Sequence, residues 1–153
     1  MAGEKTYAEA LGQGLELMMG DNNENAIKEF SEAIRLNPQD AEAYGYRGDC
    51  YSATSQYELA VKDFTDAIKY VPSNEFQIVA GYYGSRGVAY KALGKLDLAK
   101  QDFEKAFKLD PNNPYKDELA KVGGTAESSV CAKCGADLKG MKFCTKCGTP
   151  RVG

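Results

Sequence analysis

Four of the five cysteines in this 153-residue chain lie in one short stretch near its C-terminal end, "VCAKCGADLKGMKFCTKCG". They form two C-x-x-C pairs, Cys131 with Cys134 and Cys144 with Cys147, and a glycine directly follows each pair. Nine residues separate the two pairs, and the chain contains no histidine. Thiols at this spacing could form disulfides, act as a redox couple or bind a metal ion.

The surroundings of the cysteines favour a structural metal site. Disulfide frameworks are typical of secreted proteins, but the N-terminal sequence "MAGEKTYAEA" lacks the apolar segment of a secretory signal. A thioredoxin-type pair needs a βαβ context, which the sequence around these residues does not provide. Catalytic zinc keeps an open position and usually has histidine or carboxylate ligands, whereas four thiolates close the coordination shell. Iron could occupy the same cage, but zinc is the usual metal in this type of site. We therefore predict one structural Zn²⁺, with Cys131, Cys134, Cys144 and Cys147 as its ligands.

This cysteine pattern resembles the short zinc ribbon, a small Cys₄ module. The spacer "ADLKGMKF" is long enough for one hairpin that turns at Lys139 and Gly140. A segment of this size cannot bury a sufficient apolar core, so the metal should supply its folding energy, about 10–16 kcal/mol in small zinc peptides.

The residues that precede the cysteines repeat one pattern three times. Each copy has an alanine, a phenylalanine four residues on, an alanine three residues later and a proline five further. The copies are "AIKEFSEAIRLNP" (26–38), "AVKDFTDAIKYVP" (60–72) and "AKQDFEKAFKLDP" (99–111). A glycine lies 12 residues before each copy, at Gly14, Gly48 and Gly87. Such self-similarity predicts stacked helical hairpins, with phenylalanine filling the gaps and proline ending each second helix.

The pattern resembles the tetratricopeptide repeat over about residues 7–111, with a period of 34 residues between the first two copies. The resemblance implies an all-α fold, an α-α superhelix of three helical hairpins with a capping helix, joined to the small zinc ribbon. The expected repeat domain covers residues 1–122, with repeats at about 7–40, 41–74 and 80–113 and a capping helix at 114–122. A flexible Gly/Ser linker should follow at 123–129, and the ribbon should cover residues 130–153.

Local signals predict the ends of several helices. "DNNE" (21–24) and "SQYE" (55–58) match capping boxes that open second helices. Asp40 is placed to cap the helix that follows it, and Asn113 and Gly123 should bound the last helix. The third copy follows the second by 39 residues, and the excess "EFQIV" (75–79) should extend a first helix that Ser73 or Asn74 opens.

Two arginines could bind a ligand or form structural ion pairs. Arg47 and Arg86 each have an aspartate 16 residues downstream, Asp63 and Asp102, on the helix that packs back antiparallel. We predict ion pairs within each repeat, because such pairs are mostly structural. The fifth cysteine, Cys50, stands alone in a helix, which favours a buried structural thiol over a nucleophile.

Tetratricopeptide-repeat domains commonly bind peptides on their concave face, so the resemblance implies a groove along the first helices. Helical periodicity selects the side chains that face it. The predicted peptide-binding residues are Leu11, Leu15, Met18, Tyr46, Asp49, Ser85, Val88 and Lys91. Gly45, Gly81 and Gly84 lie on the same face, and we expect them to make room for the backbone of a partner.

One subgroup of the family grips the C-terminal carboxylate of its peptide with lysine, asparagine and arginine side chains on this face. Lys91 is the only basic residue that we place there, and no asparagine accompanies it. We therefore do not expect carboxylate-clamp binding or the co-chaperone role that depends on it.

Charge is unevenly distributed along the chain. Residues 1–129 carry 14 basic and 21 acidic side chains, a formal charge of −7, whereas residues 130–153 carry five basic and one acidic, a formal +4. Four thiolates and Zn²⁺ would lower the latter to +2, a modest basic patch with one aromatic residue, Phe143. Nucleic-acid binding usually needs a stronger positive field and more stacking residues.

These features predict a protein–protein interaction adaptor, not an enzyme. The sequence offers no histidine, no glycine-rich phosphate loop and no recognisable pairing of nucleophile and base. The alternative is a nucleic-acid-associated factor in which the basic ribbon contacts RNA or DNA while the repeats recruit protein. We expect a cytoplasmic protein, since the N-terminal sequence lacks a secretory signal, and a monomer. We also expect no membrane association, because no apolar run approaches the roughly 18 residues that a spanning helix needs.

Overall fold

The computed structural model describes residues 5–123, which contain seven α-helices and no strand. The helices are α1 (Tyr7–Met19), α2 (Asn23–Leu36), α3 (Ala41–Ala53), α4 (Tyr57–Tyr70), α5 (Phe76–Ala92), α6 (Leu96–Leu109) and α7 (Lys116–Lys121). Consecutive helices pack as the hairpins α1–α2, α3–α4 and α5–α6, each hairpin packs on the next, and α7 packs on α6. The all-α superhelix with three hairpins is confirmed for this part of the chain.

The repeated phenylalanines form the core of the hairpins. Phe30, Phe64 and Phe103 are almost completely buried, each together with alanines of its own helix. Each ring lies against the glycine of the preceding helix: a β-carbon at Gly14 would lie 2.5 Å from the ring of Phe30. The alanine–phenylalanine–glycine pattern therefore sets how closely the two helices of a hairpin approach.

The first helices of the first two hairpins have side-chain caps. Thr6 accepts a hydrogen bond from the backbone N–H of Glu9, whose carboxylate in turn accepts from the backbone N–H of Thr6. Asp40 accepts from the N–H groups of Glu42 and Ala43, which confirms the predicted cap of α3.

The predicted capping boxes of α2 and α4 are wrong. The residues that precede these helices, Asn22 and Gln56, make no capping hydrogen bond with their side chains. Asp21 and Ser55, which the boxes would use as caps, instead adopt φ of 57° and 60°. The third hairpin has Gly94 at the equivalent turn position, with φ of 73°. The tight turn between paired helices needs a left-handed residue there, and this requirement overrides the capping pattern.

The excess residues of the third repeat do extend its first helix, as predicted. Helix α5 has 17 residues, whereas α1 and α3 have 13 each. The helix begins at Phe76 after Glu75, so neither Ser73 nor Asn74 is its N-cap. The added turn leaves Phe76 55% and Ile78 43% exposed.

Helix α7 closes the array over the third hairpin. Gly123 follows the last turn with φ of 76°, which confirms the predicted C-terminal boundary. The N-terminal boundary differs, because the N-cap is Tyr115, and Asn113 accepts a hydrogen bond from the Tyr115 N–H at 2.8 Å before the helix begins. The helix itself is shorter than 114–122. Leu119 is buried against Ala99 and Phe103, so the predicted capping role is confirmed. None of the helices in residues 5–123 combines the length and apolar character that crossing a membrane requires.

Candidate peptide-binding groove

The first helices of the three hairpins present equivalent positions side by side along one face. The residue that follows each core glycine defines a central row: Leu15 after Gly14, Asp49 after Gly48 and Val88 after Gly87. Leu15 is half-buried, whereas Asp49 and Val88 are exposed. The central row therefore places one carboxylate between two aliphatic side chains.

Asp49 is an uncompensated charge in this row. None of the ion pairs among residues 5–123 includes it. Its carboxylate reaches solvent, but the surrounding helices displace much of its hydration, which raises the pKa of Asp49 to about 6. Burial, followed by the field of Glu42 and other anionic groups, raises the pKa of the neighbouring Tyr82 to about 12. The middle of the groove is therefore anionic.

Four candidate residues of the first two repeats also belong to the core. The ring of Tyr46 stacks on Phe30, with centroids 5.6 Å apart and planes 26° apart. Leu11, Leu15, Met18 and Tyr46 all pack, half-buried, against the cluster of Ala26, Phe30 and Cys50. These side chains form the floor of the groove, and only part of each is available to a ligand.

The candidates on the third hairpin meet the capping segment. Ser85 Oγ lies 3.1 Å from the hydroxyl of Tyr115, close enough for a hydrogen bond. Lys91 forms an ion pair with Glu118 of α7. A peptide would have to replace these partners in order to use Ser85 or Lys91, whereas Val88 is 39% exposed.

The expectation that glycines make room for a partner is wrong at two of the three positions. A β-carbon at Gly45 would lie 2.5 Å from the ring of Tyr82, and one at Gly84 would lie 2.0 Å from the ring of Tyr115. These glycines therefore accommodate tyrosines of the chain itself. At Gly81 no atom lies within 4 Å of an added β-carbon, so that position is open.

The predicted ion pairs within the repeats are confirmed. Arg47 donates to Asp63 through Nε at 2.7 Å and Nη2 at 2.8 Å. Arg86 contacts Asp102 in the same way, at 2.7 and 2.9 Å. Each arginine also donates from Nη1 to a hydroxyl of the preceding hairpin, Ser31 or Thr65. The bidentate pairs therefore join the two helices of one hairpin, and the bonds to Ser31 and Thr65 join neighbouring hairpins.

The cysteines divide between a buried thiol and a part of the chain outside the described residues. Cys50 is fully buried, as predicted, and burial raises the pKa of its thiol to about 11. The predicted zinc ligands Cys131, Cys134, Cys144 and Cys147 lie outside residues 5–123. Within residues 5–123, no group of three or more histidine, cysteine or acidic side chains could hold a metal ion.

Sequence reasoning missed a cleft beside the groove. It has a volume of about 340 Å³ and lies between the start of α3, the end of α4 and the added turn of α5. It is lined by Gln39, Asp40, Ala41, Glu42, Tyr70, Val71, Pro72, Glu75, Ile78 and Tyr82. The five-residue excess before the third repeat was its only sequence signal.

Two family models described as "Tetratricopeptide repeat" match the chain, at residues 29–62 and 80–113. Among curated proteins, the mitochondrial import receptor subunit TOM34 of Homo sapiens is 36% identical over 69 residues, 44% of this chain and 22% of that protein. The Hsp70-Hsp90 organizing protein 1 of Glycine max is 35% identical over 69 residues, 45% of this chain and 12% of that protein. Less than a quarter of each of these relatives is therefore covered.

Solved structures match over a larger share of the chain. The second TPR domain of the human RPAP3 protein, in complex with the HSP70 peptide SGPTIEEVD, is 30% identical with a TM-score of 0.68, covering 76% of this chain and 93% of that one. The first TPR of Spaghetti (RPAP3), bound to the HSP90 peptide SRMEEVD, is 24% identical with a TM-score of 0.70, and the match covers 77% of this chain and 90% of that one. Over the residues that the structure describes, the chain therefore belongs to the tetratricopeptide-repeat family.

Proposed function

We propose that the protein is an interaction adaptor whose concave groove binds an extended segment of a protein partner. The similarity to TPR domains solved with bound peptides supports a peptide-binding role for this face. The central row supports the same role, because exposed Val88 and half-buried Leu15 offer apolar contacts on either side of a carboxylate.

The charge of the groove argues against the acidic peptides that these relatives bind. The peptides SRMEEVD and SGPTIEEVD each carry three acidic side chains near a C-terminal carboxylate. In this chain the groove carries Asp49 and Glu42, and Lys91 is already paired with Glu118. Among the groove residues that the structure describes, no free cation would offset the like charge that an acidic peptide meets, and like-charge juxtaposition costs several kcal/mol.

The unpaired carboxylate of Asp49 is the observation that carries the proposal. A charge that is partly desolvated and uncompensated raises the free energy of the folded protein, and such groups concentrate at functional sites. A lysine or arginine side chain of a partner would compensate it. We propose that the preferred ligand is a neutral-to-basic segment with one cation between apolar residues.

Selecting peptides from a random library on the full-length protein tests which ligand chemistry the groove prefers. One selected peptide and SRMEEVD are then titrated against the protein to measure their affinities. We expect lysine or arginine flanked by apolar residues, and no measurable binding of SRMEEVD. The variant Asp49→Lys should lower the affinity for the selected peptide at least about tenfold, because the cation of the peptide would then face a lysine. Glu104→Lys is the matched control, since it makes the same charge change at an exposed site on the second helix α6. Unchanged affinity in Asp49→Lys, or tight binding of SRMEEVD, would exclude this groove chemistry.

We also propose that Cys131, Cys134, Cys144 and Cys147 hold one structural Zn²⁺. The support is the spacing of the two C-x-x-C-G pairs. Metal analysis of protein purified without chelator tests it, and the proposal predicts one zinc per chain that is lost when two of the four cysteines are replaced by serine.

The rival role, contact with RNA or DNA through the basic segment, predicts a different salt dependence. Nucleic-acid affinity falls steeply with salt because bound counterions are released from the phosphates. Peptide binding through one charge and apolar contacts should weaken only modestly. Titrating the selected peptide and a single-stranded RNA at two salt concentrations distinguishes the two roles.

A further inference from the structure

The cleft beside the groove combines apolar walls with negative charge. Its apolar surface comes from Val71, Pro72, Ile78 and the rings of Tyr70 and Tyr82. Ile78 is 43% exposed, and it lies in the turn by which α5 exceeds the other first helices. An aliphatic side chain left open in an added turn offers contact area to whatever covers the cleft.

Two carboxylates of the cleft have no balancing cation among the residues that the structure describes. Three acidic residues line it, and among residues 5–123 no lysine or arginine lines it. Asp40 is occupied, because it caps α3 and accepts a hydrogen bond from the hydroxyl of Tyr7. The side chains of Glu42 and Glu75 are exposed, and neither enters any of the ion pairs among residues 5–123. The cleft therefore fits a basic segment with some apolar surface.

This chain supplies such a segment. Residues 130–153 carry Lys133, Lys139, Lys142, Lys146 and Arg151 against a single acidic residue, Asp137. Met141 adds an apolar side chain next to Lys142. The formal charge of this segment is +4, or +2 with four thiolates and Zn²⁺, against −7 for residues 1–129. Charge complementarity within one chain is favoured further by the high effective concentration of a tethered segment.

The segment can reach the cleft. Helix α7 precedes this segment in the chain, and Glu118 of α7 is paired with Lys91 near the end of α5. Lys91 lies thirteen positions after Ile78 in α5, which is about 20 Å along a helix. The nine residues from 124 to 132 precede the first basic residue, Lys133, and they can span about 30 Å when extended.

We propose that residues 130–153 dock, within the same chain, in the cleft between the first turns of α3 and α5, with their lysines against Glu42 and Glu75. This contact lies outside the central row of the groove. Glu42 belongs to the first turn of α3 and faces both the cleft and the groove. Docking would therefore bring positive charge to the edge of the groove and compete with a basic partner there.

Zero-length carbodiimide cross-linking of the full-length protein, followed by peptide mass spectrometry, tests the contact because it joins lysines directly to carboxylates. We expect intramolecular links from Lys139, Lys142 or Lys146 to Glu42 or Glu75, at several-fold higher yield than to the exposed control residues Glu24 and Glu104. High salt should reduce these links more than links within α7, where Lys121 and Glu118 are already paired. Links spread evenly over all exposed carboxylates would overturn the proposal.

A charge swap separates the docking contact from unspecific attraction. In the variant Lys139→Glu, Lys142→Glu, Lys146→Glu, amide exchange in the first turn of α5 (residues 76–79) should become several-fold faster. Adding Glu42→Lys and Glu75→Lys to the same chain should restore the slow exchange, whereas adding Glu24→Lys and Glu104→Lys should not. If the exchange rate stays the same in the triple lysine variant and after the added carboxylate changes, docking is excluded. Links found only between two chains would also overturn docking within one chain.

Discussion

The ring of Tyr115 lies over Gly84 so closely that a β-carbon at Gly84 would be 2.0 Å from the ring. The same ring stacks on Phe103, with centroids 6.0 Å apart, and its hydroxyl lies 3.1 Å from Ser85 Oγ. Tyr115 precedes α7 directly. This one side chain therefore fixes the capping segment against the third hairpin and closes that end of the groove.

Replacing Gly84 should loosen the capping segment. We expect Gly84→Ala to cost about 1–3 kcal/mol, as insertion of a methyl group into a packed site usually does. Gly81→Ala is the control, because it lies three residues earlier in the same helix with no atom within 4 Å of an added β-carbon. That change should be neutral or stabilising by up to about 1 kcal/mol, since alanine favours helix. Urea unfolding of both variants measures the difference, and equal stabilities would show that Tyr115 does not pack as described.

The glycines show where the sequence sufficed and where it did not. Gly48 could be assigned to the core because Phe64, its contact, lies in the same hairpin, and the pattern recurs in every repeat. The ring that covers Gly84 comes from Tyr115, which lies beyond the last repeat, and the ring that covers Gly45 comes from Tyr82 in the next hairpin. Helical periodicity places a residue on a face, but it does not show whether a distant residue of the same chain covers that face.

The ion pairs and the caps show the same limit at shorter range. Arg47 and Asp63 lie 16 residues apart in a hairpin whose geometry every repeat shares, so the spacing alone predicted their contact. The capping boxes failed because Ser55 serves the turn with a positive φ and cannot at the same time be the extended residue before a helix. The sequence shows both the capping pattern and the turn position, but it does not show which of the two determines the backbone conformation at Ser55.

The large core residue of the central repeat should dominate stability. Phe64 is 1% exposed and packs with Ala60 and Ala89, so Phe64→Ala should cost about 3–5 kcal/mol. Phe76→Ala is the matched control, since Phe76 is 55% exposed and its loss should cost much less. Chemical unfolding monitored by circular dichroism compares the two, and a loss below about 1 kcal/mol in Phe64→Ala would contradict the packing.

The left-handed turn residues predict a stabilising substitution. Ser55 has φ of 60°, a conformation that costs non-glycine residues about 1–2 kcal/mol. Ser55→Gly should therefore stabilise the protein by about 0.5–1 kcal/mol after the larger entropy loss of glycine on folding. The reverse change at the equivalent position of the third hairpin, Gly94→Ser, should destabilise it by a similar amount, since the space there is open and only the backbone is strained. Thermal unfolding of the two variants tests the prediction, and a destabilised Ser55→Gly or a stabilised Gly94→Ser would refute it.

Removing metal should leave the helices intact. All seven helices of the described residues lie before the four clustered cysteines, and the core of the array is closed by Leu119 of α7. If those cysteines hold zinc, a strong chelator should release one equivalent of metal while the far-ultraviolet circular dichroism changes little. A large loss of helical signal on chelation would show that the array depends on the metal-binding segment for its fold.

Asp49 predicts how both stability and binding depend on pH. Its pKa is about 6 in the folded protein, compared with about 3.9 for an unperturbed aspartate. Between these pH values the folded state holds a proton that the unfolded state has released, so the free energy of unfolding falls as pH rises from about 4 to about 6. Above about pH 6 the whole destabilisation by the ionised carboxylate is present.

The Asp49→Asn variant removes this cost without changing the shape of the side chain. We expect it to stabilise the protein at pH 7 by about 1 kcal/mol, less than the full shift implies because the carboxylate reaches solvent. Below about pH 4 the variant and the wild type should be equally stable, because Asp49 is then protonated in both states. Burial is what raises the pKa of Asp49, and none of the ion pairs among residues 5–123 includes it, so the sign of the effect holds.

The same titration should govern the groove. A basic peptide binds the ionised form of Asp49, so its affinity should fall as pH drops below about 6, and Asp49→Asn should weaken binding and flatten this dependence. Peptide titrations from pH 5 to 8, with Glu104→Gln as the control on α6, measure the effect. If the variant binds with the wild-type pH profile, another group controls the ligand and the cation does not contact Asp49.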